Sequence, residues 1–216
     1  MPDHSSMRSV LFDLDGTLLD SERNDILVMG RLFHDDLGLD MDEPEISTYI
    51  GIPSREILEQ LAPDRVEELL PVWLGYQEEL LADSFLFPGI TETLLSLSEA
   101  ELRLGVVTGQ NRPELEITRR HIEIEHLIEV WVSADDAPFS KPHPAPVHLA
   151  LDLLGCTPDQ AIMIGDTRFD MQAGRQAGTL IGVALWGVKD LAPLLNFQPD
   201  FIFEDPQQVQ NLFCTK

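Results

Sequence analysis

The sequence has few basic side chains and very little lysine. Lysine occurs only as Lys141, Lys189 and Lys216, and 14 basic residues stand against 38 acidic ones, which gives a formal net charge of −24. A surface of this sign repels nucleic acid and anionic membranes, because both bind through basic patches. An anionic substrate has to overcome the same field, so each lysine is a candidate substrate contact.

Cysteine and long apolar segments are also scarce. Cys156 and Cys214 lie far apart in the sequence, and we expect two buried free thiols of a reducing compartment rather than a disulfide. The N-terminal segment lacks the basic and apolar regions of a signal peptide, and no later run is long enough to span a bilayer. These absences predict a cytoplasmic protein.

Short apolar strands alternate with helical segments through most of the chain. Strands are predicted at Arg8–Phe12, Leu102–Val107, Glu129–Ser133, Ala161–Ile164, Thr179–Ala184 and Asp200–Phe203. Helices are predicted at Ile90–Ala100, Pro113–Ile122, Val147–Leu154, Phe169–Ala177 and Gln207–Phe213. This alternation is typical of α/β proteins with a doubly wound parallel, Rossmann-like sheet.

An all-helical stretch interrupts that pattern after the first strand, with no strand predicted between Leu19 and Phe85. We therefore predict a core domain of residues 1–16 and 87–216 and an inserted helical cap of residues 17–86. Within the cap, Ser54 has the residue type and position of a helix N-cap. Pro71 predicts a break or kink in the last cap helix, because proline cannot donate the helical hydrogen bond.

Acids, a hydroxyl and a lysine follow the ends of successive predicted strands. They are Asp13, Asp15, Thr108, Lys141, Asp166 and Asp170. Ligands of open α/β sheets bind beyond these carboxyl ends, so we expect the side chains to converge. Gathered carboxylates need a hard cation such as Mg²⁺, whereas a lysine and a threonine hydroxyl bind the oxygens of an anion. The set therefore predicts a site where phosphate and Mg²⁺ meet.

The pair Asp13 and Asp15 suggests a division of labour in phosphoryl transfer. A carboxylate can attack phosphorus once positive charge offsets its repulsion from the phosphate, so Asp13 is the predicted nucleophile. Asp15 is the predicted general acid and base, protonating the leaving oxygen and then activating water. Gly16 allows the turn that follows.

These motifs resemble the haloacid dehalogenase superfamily, in its helical-cap subgroup of phosphoglycolate-phosphatase-like enzymes. The matching segments are Phe12–Ser21 (FDLDGTLLDS), Val106–Gly109 (VVTG), Lys141–Pro144 (KPHP) and Ile164–Asp170 (IGDTRFD). The resemblance runs through nearly the whole chain in the right order.

The resemblance implies a role for each of these residues. Asp13 would be nucleophile and Mg²⁺ ligand, and Asp15 would be the acid/base and lend its backbone carbonyl to the metal. Thr108, Gly109 and Lys141 would hold the phosphate. Asp166 would be a metal ligand, with Asp170 either a ligand through water or a partner of Lys141. Asp136 would orient Lys141.

Arg55 in the cap has two competing interpretations. By resemblance, its loop reaches into the site and the arginine touches substrate. Alternatively, Arg55 lies in the first turn of a helix and pairs with Glu59 four residues on.

Residues that differ from those of related enzymes narrow the range of candidate substrates. Sugar-phosphate mutases of this subgroup carry a histidine twelve residues after the nucleophile, where this chain has Asp25, and phosphonatase-like relatives use a cap lysine that Leu18–Leu86 lacks. Dehalogenases lack the second acid, Asp15. Hydrolysis of a small phosphorylated metabolite remains, with phosphoglycolate the leading candidate and pyrophosphate or sugar phosphates the alternatives.

Two further hypotheses come from other functional classes. A receiver-like signalling module also places acids, a threonine and a lysine at strand ends, but it has no counterpart to Asp166 and Asp170 and no helical insertion over the site. A non-catalytic relative is the other, and the complete residue set argues against it. We expect a monomer or homodimer.

Overall fold

The computed structural model describes residues 7–81 and 85–214, and its strands form two sheets. In chain order the strands are β1 Ser9–Phe12, β2 Leu19–Asp20, β3 Phe85–Leu86, β4 Arg103–Val107, β5 Val130–Val132, β6 Ala161–Gly165, β7 Leu180–Ala184 and β8 Phe201–Phe203. The large sheet has the order β5-β4-β1-β6-β7-β8, and its neighbouring strands are parallel. The predicted doubly wound parallel sheet is confirmed.

The helices are α1 Glu22–Arg31, α2 Glu43–Ser47, α3 Ser54–Leu61, α4 Val66–Leu81, α5 Ile90–Glu99, α6 Arg112–His121, α7 Ala145–Leu154, α8 Arg168–Ala177, α9 Ala192–Leu195 and α10 Pro206–Cys214. Helices cover both faces of this sheet from α5 onward, whereas α1 to α4 belong to the insertion described below. Alternate side chains of β1 belong to different apolar clusters, Val10 and Phe12 to one and Leu11 to the other. Both faces of the central strand are therefore buried, which explains its continuous apolar run.

The order of the strands determines where a ligand can bind. β1 lies between β4 and β6, so the chain leaves the first strand in one direction and later returns on its other side. A crevice forms at such a reversal, outside the carboxyl ends of the strands. Asp13 and Asp166 follow the neighbouring strands β1 and β6, and they meet at this edge.

The insertion between β2 and β3 forms a helical cap with a core of its own. Helices α1 to α4 and a π-helical turn at Leu32–Asp36 surround a buried cluster that includes Leu32, Phe33, Leu58 and Leu69. The two-residue strands β2 and β3 pair antiparallel, with Leu19 opposite Leu86. The division of the chain at residues 17 and 86 stays a prediction.

Three local predictions for the cap are wrong. Leu19–Asp20 is a short strand, and two residues are too few to show a strand pattern in the sequence. Pro53, rather than Ser54, occupies the N-cap of α3, and the Ser54 hydroxyl accepts a hydrogen bond from the core instead. The break predicted at Pro71 is absent, since α4 runs without interruption from Val66 to Leu81 with Leu69 and Trp73 buried on either side of the proline, while a kink there stays a prediction.

The structure also tests the predictions made from the lack of long apolar segments and the scarcity of cysteine. No helix within residues 7–81 and 85–214 has both the length and the apolar character needed to cross a membrane. Cys156 is a free thiol as predicted, but it is only half-buried. The side chain of Cys214 lies outside the described part of the chain.

Candidate active site

The loop after β1 fixes Asp13 at the centre of the sheet edge. The Asp13 amide donates to Ile164 O at 2.9 Å, which continues the ladder to β6, and its carboxylate accepts from Leu14 N at 2.7 Å. Gly16 then turns the chain with φ of +74°, a conformation that costs glycine nothing. Asp13 is only 5% exposed, so its carboxylate is held in a defined position away from bulk water.

A buried lysine joins two of the carboxylates. Lys141 Nζ lies 2.9 Å from Asp13 Oδ1 and 2.6 Å from Asp170 Oδ1, and all three side chains are almost fully buried. Burial alone disfavours the lysine's charge, but the two carboxylates outweigh it and raise the pKa of Lys141 above its usual value. The lysine therefore stays cationic beside the nucleophile candidate.

The start of α8 holds Asp170 against this lysine. Thr167 is the N-cap of the helix, and its amide and hydroxyl both donate to Asp170 Oδ2, at 3.0 and 2.5 Å. The sequence reading left open whether Asp170 is a metal ligand or a partner of Lys141. The structure places it in direct contact with Lys141 and also within the carboxylate cluster described next.

Asp13, Asp166 and Asp170 form one carboxylate cluster. One oxygen from each lies within 4.8 Å of the others. Asp166 accepts from Thr17 Oγ1 at 2.8 Å, and a Cβ at Gly16 would overlap with the Asp166 carboxylate, so only glycine lets the loop come this close. Burial and the charge of Asp170 raise the pKa of Asp166 to about 8.

This cluster fits a divalent cation. Burial, together with the neighbouring Asp170, also raises the pKa of Asp13 well above its ordinary range. Three crowded carboxylates share one lysine, so the site is short of positive charge, and oxygen donors are the ligands Mg²⁺ prefers. The Asp15 carboxylate is not part of the cluster among the described residues.

Asp15 is held separately, by a side chain at the start of α1 and by another that follows β4. Ser21 Oγ donates to Asp15 Oδ1 at 2.8 Å, and Gln110 Nε2 lies 3.1 and 2.9 Å from the two Asp15 oxygens. Burial raises the pKa of Asp15 despite these hydrogen bonds. A carboxyl with a raised pKa holds a proton more readily than a free one, which favours its use as a general acid.

The loop after β4 brings Thr108 and Gly109 to the same edge. Thr108 is buried, and its oxygen accepts from Gln110 N at 3.0 Å, which leaves its hydroxyl hydrogen to donate elsewhere. A Cβ at Gly109 would lie 3.2 Å from the carbonyl oxygen of Gly51 in the cap. Gly109 thus lets the cap approach the core closely.

Two residues of the predicted site are not brought to it. Arg55 lies beside the second, outer groove of the surface and pairs with Glu67 at 2.8 Å, so neither the substrate contact nor the Glu59 partner of the sequence analysis is seen. Asp136 accepts from Ser133 N and Oγ and pairs with Arg112, and it does not contact Lys141. These contacts give no support to its orienting role, which stays a prediction.

Trp186 supports the turn that follows β1. Its indole Nε1 donates to Thr17 O at 2.8 Å. The next residue, Gly187, packs so closely that a Cβ there would collide with the Gly16 carbonyl. The segment after β7 therefore buttresses the turn that carries Asp13 and Asp15.

The cap lies over the sheet edge, and a partly open cavity of about 290 Å³ lies between them. Core acids Asp13, Asp15 and Asp166 line one wall, and cap side chains including Trp73 line the other. Asn111 Nδ2 donates to Ser54 Oγ across the junction at 2.7 Å. A cavity of this size suits a small substrate.

Several cavity residues escaped the sequence analysis as candidates. They are Gln77, Gln110 and Glu114, while Asp25 was noted only because it stands where sugar-phosphate mutases carry a histidine. Glu114 is buried, and burial raises its pKa to about 7 although Asn111 N donates to it. Burial, and then the charge of Asp15, raise the pKa of Asp25. These residues lie in no recognisable motif, and only folding brings them together.

Comparisons with known proteins agree with this site. The model of the haloacid dehalogenase-like hydrolases matches residues 10–184. Pyrophosphatase PpaX of Bacillus velezensis is 31% identical over 202 residues, covering 91% of this chain and 91% of that protein. Two crystal structures of predicted phosphoglycolate phosphatases match closely. The Lactobacillus plantarum protein has a TM-score of 0.86 at 28% identity, over 96% of this chain and 99% of that one. The Haemophilus somnus protein has a TM-score of 0.85 at 26% identity, over 96% and 98%.

Proposed function

This chain belongs to the haloacid dehalogenase-like hydrolase family and is a phosphatase, and we propose that it hydrolyses a phosphate monoester of a small metabolite through a phosphoenzyme on Asp13. One observation carries the proposal. The buried Lys141 ammonium touches Asp13, while Asp166 and Asp170 complete a carboxylate cluster around the same point. A structural ion pair needs one carboxylate, whereas phosphoryl transfer needs all of them.

Asp13 is the proposed nucleophile. Its backbone is locked into the sheet, and its carboxylate is oriented by Leu14 N and Lys141. The carboxylate attacks phosphorus, the bond to the leaving oxygen breaks, and an aspartyl phosphate forms. Positioning of this kind reduces the entropy cost of reaching the transition state.

Asp15 is the proposed proton carrier for both steps. It protonates the leaving oxygen as the phosphoenzyme forms, and it then takes a proton from the water that cleaves the aspartyl phosphate. Ser21 and Gln110 hold its carboxyl group in the cavity wall, two residues from the nucleophile. Its raised pKa favours this double role.

Lys141, Thr108 and Gly109 are the proposed phosphate-binding residues. The lysine supplies a fixed positive charge beside Asp13, the threonine a hydroxyl donor and the glycine a backbone amide. Arg55 remains a predicted substrate contact that this arrangement does not support, because it turns to Glu67.

We propose Mg²⁺ as the cofactor, held by Asp13, Asp166 and Asp170, with Asp15 contributing its backbone carbonyl. When bound, Mg²⁺ offsets the charge of the carboxylates and of the phosphoryl oxygens. The residues then act as described: Lys141 keeps its proton, Asp13 stays ionised and Asp170 anchors the lysine.

The substrate is the finer part of the proposal. Phosphoglycolate is the leading candidate by resemblance, and pyrophosphate is the alternative suggested by the name of one relative. Asp25 continues to argue against a mutase. The receiver-like switch and the non-catalytic relative are disfavoured because this family is one of hydrolases. Cytoplasmic location and a monomeric or homodimeric state stay predictions.

Phosphate release tests the proposal. The purified protein should release phosphate from members of a metabolite panel over many turnovers in Mg²⁺, and Asp13→Asn should abolish release while circular dichroism stays unchanged. Asp64→Asn, at an exposed cap position, is the matched control and should retain activity. Release at the wild-type rate from the Asp13 variant would show that the nucleophile lies elsewhere.

A further inference from the structure

The cavity between cap and core has a lining that bears on the leaving group of the substrate. The part of the substrate beyond the phosphate must face the cap wall, where Val28, Met29, Ile57 and Trp73 are apolar. Asp25 lies among them on α1. The chemistry of this wall therefore selects what the phosphate is attached to.

The lining offers little positive charge for a second anionic group. Lys189 is the basic residue among the described side chains of the cavity wall, and its ammonium is paired with Glu22 and mostly exposed. Lys141 is already shared by Asp13 and Asp170. A carboxylate or second phosphate on the substrate would be buried without a cation, which is unfavourable.

The same wall presents hydrogen-bond acceptors instead. Asp25 Oδ2 lies 3.0 Å from the Ser21 hydroxyl, while its Oδ1 has no hydrogen bond among the described residues. Glu114, on α6, also lines the cavity and accepts from Asn111 N. A carboxyl group is negative or neutral, so neither side chain can balance an anion in either protonation state.

A directional chain of hydrogen bonds adds one more acceptor. Gln110 Nε2 donates to the Asp15 carboxylate, so Gln110 Oε1 must accept from the Thr118 hydroxyl, at 3.0 Å. Thr118 Oγ1 then accepts from Gln77 Nε2 at 3.4 Å. The chain fixes the orientation of the Gln77 amide and leaves its Oε1, a buried atom of a cavity-lining residue, without a partner.

We infer that the cleft selects a leaving group that carries hydroxyl or ammonium donors and no second negative charge, with Asp25 and Gln77 as the residues that recognise the donors. The apolar cap residues then contact the carbon skeleton. This inference rests on the proposed function and deepens it, since it disfavours both phosphoglycolate and pyrophosphate.

Four phosphate monoesters of nearly equal size test the inference. Phosphoglycolate ends in a carboxylate, O-phosphoethanolamine in an ammonium, 2-hydroxyethyl phosphate in a hydroxyl and ethyl phosphate in a methyl group. We expect kcat/KM for the ammonium and hydroxyl esters to exceed that for ethyl phosphate by about tenfold, the typical value of a hydrogen bond in such a pocket, and phosphoglycolate to be the poorest. Pyrophosphate is assayed beside them.

Variants show which residues cause the preference. For each variant, kcat/KM for one ester is divided by kcat/KM for another, so a variant that is slower with every ester still gives a usable ratio. Asp25→Ala should reduce the ratio of ammonium to ethyl ester about tenfold, and Gln77→Leu should reduce the ratio of hydroxyl to ethyl ester by a similar factor. Asp25→Arg should raise kcat/KM for phosphoglycolate relative to kcat/KM for ethyl phosphate. Gln60→Leu, at an exposed position of α3 outside the cavity, is the control and should leave every ratio unchanged.

The outcomes separate the two claims. If phosphoglycolate, pyrophosphate or ethyl phosphate is the best substrate, or if the Asp25 and Gln77 variants keep the wild-type ratios, the inference is overturned and the proposed function stands. If no ester in the panel releases phosphate in a manner that depends on Asp13, the proposed function fails and the inference fails with it.

Discussion

Glu114→Gln should stabilise the protein relative to the wild type, and by more at alkaline pH than at acidic pH. Burial raises the pKa of Glu114 to about 7 from an ordinary value of 4.5. As the pH rises above 4.5, the unfolded chain loses this proton readily and the folded chain does not. The free energy of unfolding therefore falls by about 1.4 kcal/mol per pH unit, until the folded carboxyl ionises near pH 7.

The interval of about 2.5 pH units corresponds to about 3.4 kcal/mol, of which about 2.5 kcal/mol is lost between pH 5 and pH 8. Glutamine has the size of the neutral carboxyl and can still accept from Asn111 N, so Glu114→Gln removes the ionisation and keeps the contact. Other buried acids titrate in both proteins and cancel in the difference. The variant should gain about 2.5 kcal/mol over the wild type between the two pH values.

Urea unfolding followed by circular dichroism, in EDTA at pH 5 and pH 8, measures this difference. Glu116→Gln on the exposed side of α6 controls for the removal of one carboxylate from the helix. If the wild type and Glu114→Gln lose stability in parallel between these pH values, burial does not raise the pKa of Glu114 and the reasoning is refuted.

Three further predictions concern the catalytic edge. Gly16→Ala should reduce phosphate release by at least about 100-fold with the fold retained by circular dichroism, because its Cβ would press on Asp166 at a backbone φ of +74°; near-normal release would contradict this. Lys141→Met should abolish release and lower the free energy of unfolding by about 3 kcal/mol, since Asp13 and Asp170 lose their buried cation; a variant as stable as wild type in urea unfolding would argue against the pair's importance. EDTA should stop release and added Mg²⁺ should restore it, whereas undiminished rates in EDTA would remove the metal from the mechanism.

The fold was predictable because its signals are local. Each strand of the large sheet is an apolar run ended by a turn, and Val10, Leu11 and Phe12 are apolar on both faces as a central parallel strand requires. Predicted strand bounds differ from the observed ones by a residue or so. The two-residue strand at Leu19–Asp20 carries no such pattern and was missed.

Tertiary contacts decided the local details of the cap. Ser54 has the ordinary chemistry of an N-cap, yet its hydroxyl bonds to Asn111, 57 residues away. Pro71 should interrupt a helix by its missing N–H, yet burial of the neighbouring side chains keeps α4 continuous. Such outcomes depend on partners that a single segment of sequence does not specify.

The candidate site was predictable only where motifs follow strand ends. Asp13, Lys141 and Asp166 fall there, and the structure brings them together. Gln110 was missed because its partner Asp15 lies 95 residues away, and the Arg55–Glu67 pair was missed because the two residues lie on different helices. Residues of the cavity wall come from both cap and core, so no spacing in the sequence marks them.

The pairing of Leu19 with Leu86 has an evolutionary consequence. Partnered residues of an antiparallel ladder have their Cα atoms about 5 Å apart, so the insertion begins and ends at one point on the core. Any inserted segment whose two ends lie equally close together can be attached at that point. Doubling the length of the segment adds only about 0.6 kcal/mol to the entropic cost of closing the loop. Exchange of the whole cap can thus give such an enzyme a new substrate range while its catalytic residues in the core stay unchanged.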